Sequence, residues 1–360
     1  MAIFGNKGEW SEIYVLFKLL GDTKVFTGDE NLNKIESIFY PILKILREER
    51  GKSYEYDIEN RDVVFITEDG KEFMRMPVAE FRRQADRLFR QIKAHKGVFS
   101  VPDTEAFMDT VRCRKLKAPS ADKTDIKIII HDPGTGMCPK LGFSIKSKLG
   151  CPSTLINASS ATNFTYEIAG ADFSDERIAE INGINTRNKI RDRLKAIEAC
   201  GGLLNFAGLK SPTFNNNLIM IDSRMPEILS CMLLHYYKGN AKTLTDLTTL
   251  TTIDNPVQYD MSCGNVYYEY KIKRLMADAV LGMMPASVWD GVYQANGGYL
   301  VVKEDGEVLC YHFYDRNIFE AYLFRNLTLD TPSSTRHGFG KITKVNGRCL
   351  FDLNLQVRFI

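Results

Sequence analysis

The stretch Asp125-Ile-Lys-Ile-Ile-Ile-His-Asp132, followed by Gly142-Phe-Ser-Ile-Lys-Ser-Lys148, decides the fold. Each segment is short and strongly apolar. Between them lies a turn-forming tract with Pro133, Gly134, Gly136 and Pro139. The pattern predicts two β-strands joined as a hairpin. Successive side chains on a strand point to opposite faces, so Phe143 and Ile145 take one face and Ser144, Lys146 and Lys148 the other. A lysine in the middle of a core-grade strand carries a solvation cost unless an interaction requires it.

Outward from this hairpin, the N-terminal side reads as helical. Trp10, Ile13, Phe17 and Leu20 recur at helical spacing within residues 8–20, and Asn6 followed by Glu9 forms a capping box. A second helix is expected over 28–50, capped by Thr27 and Glu30 and striped by Leu32, Ile35, Phe39, Ile42 and Leu46. Residues 54–73 predict one hairpin turning at Asp69-Gly70. Pro77 suits the start of the next helix, which ends near Gly97. A short helix near 103–112 and a polar linker over 117–124 complete the approach to Asp125.

Beyond Lys148, residues 152–163 are dense in small hydroxyl and amide side chains and lead into a strand over 164–168. Helices are expected over 174–200, 223–238 and 266–284, and β-structure from about 297 onward. The last segment, 350–359, alternates: Leu353, Leu355, Val357 and Phe359 against Asn354, Gln356 and Arg358. The expected class is α/β, with a core region over 1–205 and a mixed, β-rich region over 206–360.

Composition narrows the function. The chain has 360 residues, 44% hydrophobic and 26% charged, as in a soluble globular protein. No apolar run is long enough to span a bilayer, and the N-terminus lacks the hydrophobic stretch of a signal peptide. The eight cysteines are scattered without zinc spacing, which fits free thiols in a reducing cytoplasm. A net charge of +2 does not by itself imply nucleic acid. The basic tract Arg82, Arg83, Arg87, Arg90, Lys93 and Lys96 is first of all a solvated helix face. Walker-type and Gly-x-Gly-x-x-Gly phosphate loops are absent, and the five histidines form no His-Asn-His arrangement.

An acid and a lysine on adjoining strands suit metal-dependent phosphodiester cleavage. Mg²⁺ takes hard oxygen ligands and offsets charge on phosphate oxygens. Asp125 fits the ligand, and Lys146 a group that orients water or neutralises the transition state. With Lys146 opposite Lys127, Asp125 stands diagonally across from Lys146 on the same face. A one-residue slip would separate them. Ser144 occupies the position where an acid usually stands two residues before the lysine, so a second ligand must come from elsewhere. Glu12 on the first helix borders its apolar face and is read either as that ligand or as a plain surface acid. Asp103 is read as a helix N-cap and Asp132 as a turn residue held in reserve.

For DNA contact, amide and basic side chains read base edges and hydroxyls suit phosphates. Three segments offer them: Asn157, Thr162 and Asn163; Ser333, Ser334 and Arg336; and Asn354, Gln356 and Arg358. A solvated sheet face explains the last set equally well.

Gly5-Asn-Lys-Gly-Glu-Trp-Ser-Glu12, Asp29-Glu-Asn-Leu-Asn33, Lys123-Thr-Asp-Ile126, Gly142-Phe-Ser-Ile-Lys-Ser147, Ser153-Thr-Leu-Ile-Asn-Ala158, Thr162-Asn-Phe164 and Leu353-Asn-Leu-Gln-Val-Arg-Phe359 together resemble the HpaII family of type II restriction endonucleases. The resemblance runs in order along nearly the whole chain. It implies a PD-(D/E)xK nuclease fold, Mg²⁺-dependent double-strand cleavage with 5′-phosphate ends, and a cognate cytosine-5 DNA methyltransferase as genetic partner. From the family's type member it implies the target CCGG, cut after the first C. By position, Asp125 matches the motif aspartate, Ser144 the substituted acid, Lys146 the lysine and Glu12 the first-helix glutamate. A palindromic target suits a homodimer or two sequential nicks by one subunit. The rival expectations are a repair or modified-DNA nuclease with the same core, and a catalytically inactive DNA-binding protein in which Ser144 marks decay.

Overall fold

The motif hairpin forms as the pattern predicts. In the computed structural model, which describes residues 2–49, 51–116, 124–293 and 296–360, strand Ile126–Ile130 pairs antiparallel with strand Lys140–Ser147. Most of the expected 117–124 linker lies outside the described residues. The chain is a mixed α/β protein. Two compact units make it up: residues 1–153 with 293–322, and residues 154–292 with 323–360.

This division differs from the contiguous split at 205/206. The cause is a strand pairing. Strand Gly298–Val302 lies parallel to Lys140–Ser147, and the antiparallel strand Val308–His312 follows it. A parallel neighbour requires a long crossover, and here the crossover contains residues 154–292, the larger segment of the second unit. The return is tight: Gly298 has φ of 101°, and a Cβ there would lie 2.2 Å from Tyr311 O.

In the first unit these strands belong to a nine-stranded sheet. Its order is Lys24–Gly28, Val308–His312, Gly298–Val302, Lys140–Ser147, Ile126–Ile130, Lys34–Glu49, Lys52–Glu59, Val63–Glu68 and Lys71–Pro77. Lys24–Gly28 also pairs with Lys34–Glu49, so the sheet turns back on itself. The first helix, Lys7–Asp22, carries the expected capping box of Asn6 and Glu9. It buries Trp10, Ile13, Phe17 and Leu20 in the core that Phe81 and Leu88 of helix Val78–Ala94 complete.

The helix expected over 28–50 is instead a 16-residue strand, Lys34–Glu49. Pro41 sits inside it, where a helix interior would lose about 3 kcal/mol. Ile35, Ile38, Tyr40, Ile42 and Ile45 are β-branched or aromatic and favour the pleated surface. Thr27 therefore lies within strand Lys24–Gly28 rather than capping a helix. Asp29 holds the turn by accepting from the backbone N–H of Asn31 and of Asn33. Residues 54–73 form parts of three strands, not two. Asp69-Gly70 turns as predicted, and a second turn at Asn60-Arg61 has φ of 50° and 62°. Arginine rarely adopts that conformation, which hid the turn.

In the second unit, Leu203–Leu209, Asn163–Ala169, Arg348–Asn354 and Ile342–Val345 form an antiparallel sheet. Thr154–Ile156, Val357–Phe359 and Leu327–Leu329 form a smaller one. The expected terminal strand over 350–359 is thus two strands in different sheets, broken at Leu355-Gln356. The helical stretch 174–200 is two helices, Asp175–Gly183 and Lys189–Ala199. Helices Met225–Lys238, Leu244–Asp254 and Tyr267–Leu281 pack Met232, Leu233, Leu247, Tyr268 and Leu275 into this unit's core. Helix Arg316–Asn326 interrupts the expected run of β-structure.

Candidate active site

Register decides whether the acid and the lysine meet. Lys127 pairs with Gly142, not with Lys146. The shift from the expected pairing is four residues, an even number, so every side chain keeps its face. Asp125, just ahead of the first strand, donates its backbone N–H to Phe143 O at 2.9 Å. It therefore stands across from Ser144, with Lys146 one diagonal step away.

The Asp125 carboxylate is oriented by two donors on one oxygen. Ser144 Oγ donates to Oδ2 at 3.0 Å, and the Ile145 N–H donates to the same atom at 2.6 Å. Oδ1 makes no hydrogen bond among the described residues. Ser144 is buried. Its hydroxyl orients the acid rather than replacing a carboxylate's charge.

The strand placement half-buries Lys146, and burial lowers the pKa of its ammonium from the ordinary lysine range. Two carboxylates act against that: Asp125 and Glu12 both hold the positive form in place. Glu12 reaches the site because the first helix is fastened to the lysine strand, with Ser11 Oγ 2.8 Å from Ser147 Oγ. Its Oε2 is a buried atom. Asp125 stands diagonally across from Lys146, and the charges of Asp125 and Glu12 both act on its ammonium.

Tyr299 was not foreseen. It pairs with Ser144 across the parallel strands, is 2% exposed, and lies beneath Lys146 with Nζ 5.1 Å from the ring centroid. Burial and the nearby Asp125 charge keep its phenol protonated. No local pattern ties residue 299 to residue 146.

The reserve acids have other work. Asp132 accepts from the Gly134 N–H and Thr135 Oγ1 within the hairpin turn. Asp103 is in the first turn of helix Pro102–Thr110, whose N-cap is Val101 and not Asp103 as expected, and it faces Arg87 at 3.7 Å. Arg83 pairs with Glu80, in keeping with a solvated basic helix face. The described residues also bring Cys231, His235 and Asp254 together. There Asn240 Nδ2 lies 3.1 Å from His235 Nδ1, and His235 Nε2 lies 2.8 Å from Asp254 Oδ2. Burial raises the Cys231 thiol to about 12, so it stays protonated.

The second unit separates the residues expected to touch DNA. Asn157 is exposed. Thr162, Asn163 and Asn354 are buried, which corrects the expectation of an outward polar face. Asn354 Nδ2 donates to Ser159 O at 2.7 Å, to Thr162 Oγ1 at 3.1 Å and to Asn163 Oδ1 at 2.6 Å. Asn163 Nδ2 donates to His337 O at 2.9 Å. These amides tie loops to strands. Arg358 pairs with Asp330 at 2.6 Å, and half-buried Gln356 accepts the Asp330 N–H on its backbone oxygen. Ser333 caps the short helix Ser334–His337, on which Arg336 is exposed. Ser333 and Ser334 line a cavity of 740 Å³ together with basic residues distant in sequence.

The family model of the HpaII restriction endonuclease matches residues 6–359. The chain is also 45% identical over 358 residues to the type II restriction enzyme HpaII of Haemophilus parainfluenzae, covering 99% of this chain and 98% of that enzyme. The chain belongs to the HpaII family of restriction endonucleases. No solved structure matches it. HpaII-family membership makes it a type II site-specific deoxyribonuclease, a hydrolase acting on DNA, and removes the inactive binding protein as its reading. No described helix is long and apolar enough to cross a membrane.

Proposed function

We propose that this restriction endonuclease uses a PD-(D/E)xK site to cut both strands of duplex DNA with Mg²⁺, at CCGG after the first C, leaving 5′-phosphates. The observation that carries the chemistry is the placement of Asp125 diagonally across from Lys146, with the charges of Asp125 and Glu12 both acting on the lysine. Asp125 Oδ1 and the Glu12 carboxylate are hard oxygens, the donor type Mg²⁺ takes. Bound there, the ion would polarise the scissile phosphate and supply a water nucleophile near neutral pH.

The chain's own groups do the rest. Ser144 and the Ile145 N–H fix the Asp125 oxygens before substrate arrives, which lowers the reorganisation needed in the reaction. The half-buried Lys146 ammonium sits where bulk water screens it weakly, so its attraction for developing phosphate charge is stronger than at a surface. Ser144 in the position of the usual acid leaves Glu12 as the second carboxylate.

CCGG rests on the 45% identity over nearly the whole chain. The proposal includes a cognate cytosine-5 methyltransferase, which would protect host sites, and a bacterial cytoplasmic setting. A homodimer would match the symmetry of the site. The test is digestion of plasmid with and without Mg²⁺, followed by sequencing of the ends. Lys146→Ala should lose cleavage while still binding duplex. Full activity of that variant, or ends outside CCGG, would overturn the corresponding part of the reading.

A further inference from the structure

The 740 Å³ cavity in the second unit is lined by Arg187, Lys189, Arg191 and Lys242, with the hydroxyls of Ser334 and Thr335. None of the four cations takes part in an ion pair among the described residues. The acids nearest in sequence are engaged elsewhere. Asp192 accepts from Thr186 Oγ1 at 2.5 Å, Glu198 pairs with Lys238 at 2.8 Å, and Asp330 with Arg358 at 2.6 Å. The cavity wall carries no carboxylate, so these four cations concentrate positive potential in one place.

The backbone reinforces the positive potential. Asn188, Lys189 and Ile190 belong to the cavity wall and open the 11-residue helix Lys189–Ala199. Its N-cap, Asn188, makes no side-chain capping bond. That end of a helix attracts anions. Gly239, with φ of 81° at the end of helix Met225–Lys238, lets the Arg191 guanidinium lie against the main chain. A Cβ there would lie 2.5 Å from Arg191 Cζ.

We infer that this cleft seats the sugar-phosphate backbone of duplex DNA. The inference rests on the nuclease reading for its choice of polyanion. Several cations with hydroxyl donors and no acid match a run of phosphates, and they carry no base-reading pattern. The cleft therefore holds DNA in place without choosing its sequence.

The test is fluorescence anisotropy of the full-length chain without divalent metal, on a CCGG duplex and an unrelated duplex across a salt series. The variants are Arg191→Gln, Lys242→Gln and their combination. Each substitution should weaken both duplexes by the same factor and lower the slope of log affinity against log salt by roughly one. Unchanged affinity and slope in the double variant overturn the proposal, as does weakening confined to the CCGG duplex. Circular dichroism checks folding, and Lys189→Gln replaces any variant that melts early. Stabilisation by inorganic phosphate that the substitutions abolish, with duplex affinity unmoved, would make this a small-anion site and also overturn it. Plasmid cleavage by the unaltered protein is read separately, so a failed nuclease reading and a failed cleft give different results.

Discussion

Ser144 Oγ donates to Asp125 Oδ2 at 3.0 Å across the motif hairpin. The residue that replaces the usual acid orients the remaining one, through an oxygen that the Ile145 N–H also holds. Under the proposed nuclease reading, Ser144 is a positioning residue for Asp125.

Ser144→Ala should keep Asp125 on one donor and lower Mg²⁺ affinity or cleavage by roughly 10-fold, the lower end of what supporting partners contribute. Ser144→Thr, which retains the hydroxyl, should restore most of it. The measurement is cleavage rate against Mg²⁺ concentration. An unaltered Mg²⁺ dependence in the alanine variant would remove the positioning role.

Lys146 gives a pH signature. Burial lowers its pKa, so the ammonium loses its proton at a lower pH than an ordinary lysine. If the charged form is required, cleavage declines on the alkaline side below that range. Lys146→Arg, whose guanidinium stays charged, should cleave more slowly but without that decline. Identical alkaline profiles for the two proteins would show that another group titrates.

His312 provides a stability signature in the first unit. It is 1% exposed, accepts the Tyr314 N–H on Nδ1 at 3.0 Å, and has its pKa lowered by burial despite the opposing charges of Asp315 and Asp132. Between its lowered folded value and about 6.5, the unfolded chain binds the extra proton. Its contribution is therefore complete above about 6.5 and is lost as pH falls towards the folded value. His312→Asn should flatten the acid side of a Tm-against-pH curve relative to the parent protein. Parallel curves would refute the assignment.

Asn354 tests burial against base reading. Asn354→Ala removes three donated bonds and leaves buried Asn163 Oδ1 and half-buried Ser159 O each with a partner lost. The expected loss is about 3 kcal/mol, seen as a lower urea midpoint, with site preference in surviving protein unchanged. Relaxed sequence preference at wild-type stability would instead place this amide against DNA.

Legibility followed distance along the chain. Asp125 and Lys146 were readable because a period of two assigns faces within a hairpin whatever even register it adopts. Pro41 and its β-branched neighbours held the signal against a 28–50 helix, and the apolar spacing at three and four residues masked it. Tyr299 and the cleft of Arg187, Lys189, Arg191 and Lys242 had no local signal, because strands and loops far apart in sequence build them.

From its residues alone the chain determined the alternation of side chains, the first helix with its cap, and the acid and lysine on one strand face. Tertiary structure decided which polar faces were covered, sending Asn354 inward, and which distant groups became neighbours. The physical reason is that strand and helix periods constrain only the next few residues. A parallel partner 150 or so residues later is chosen by the packing of whole layers and the long crossover it demands.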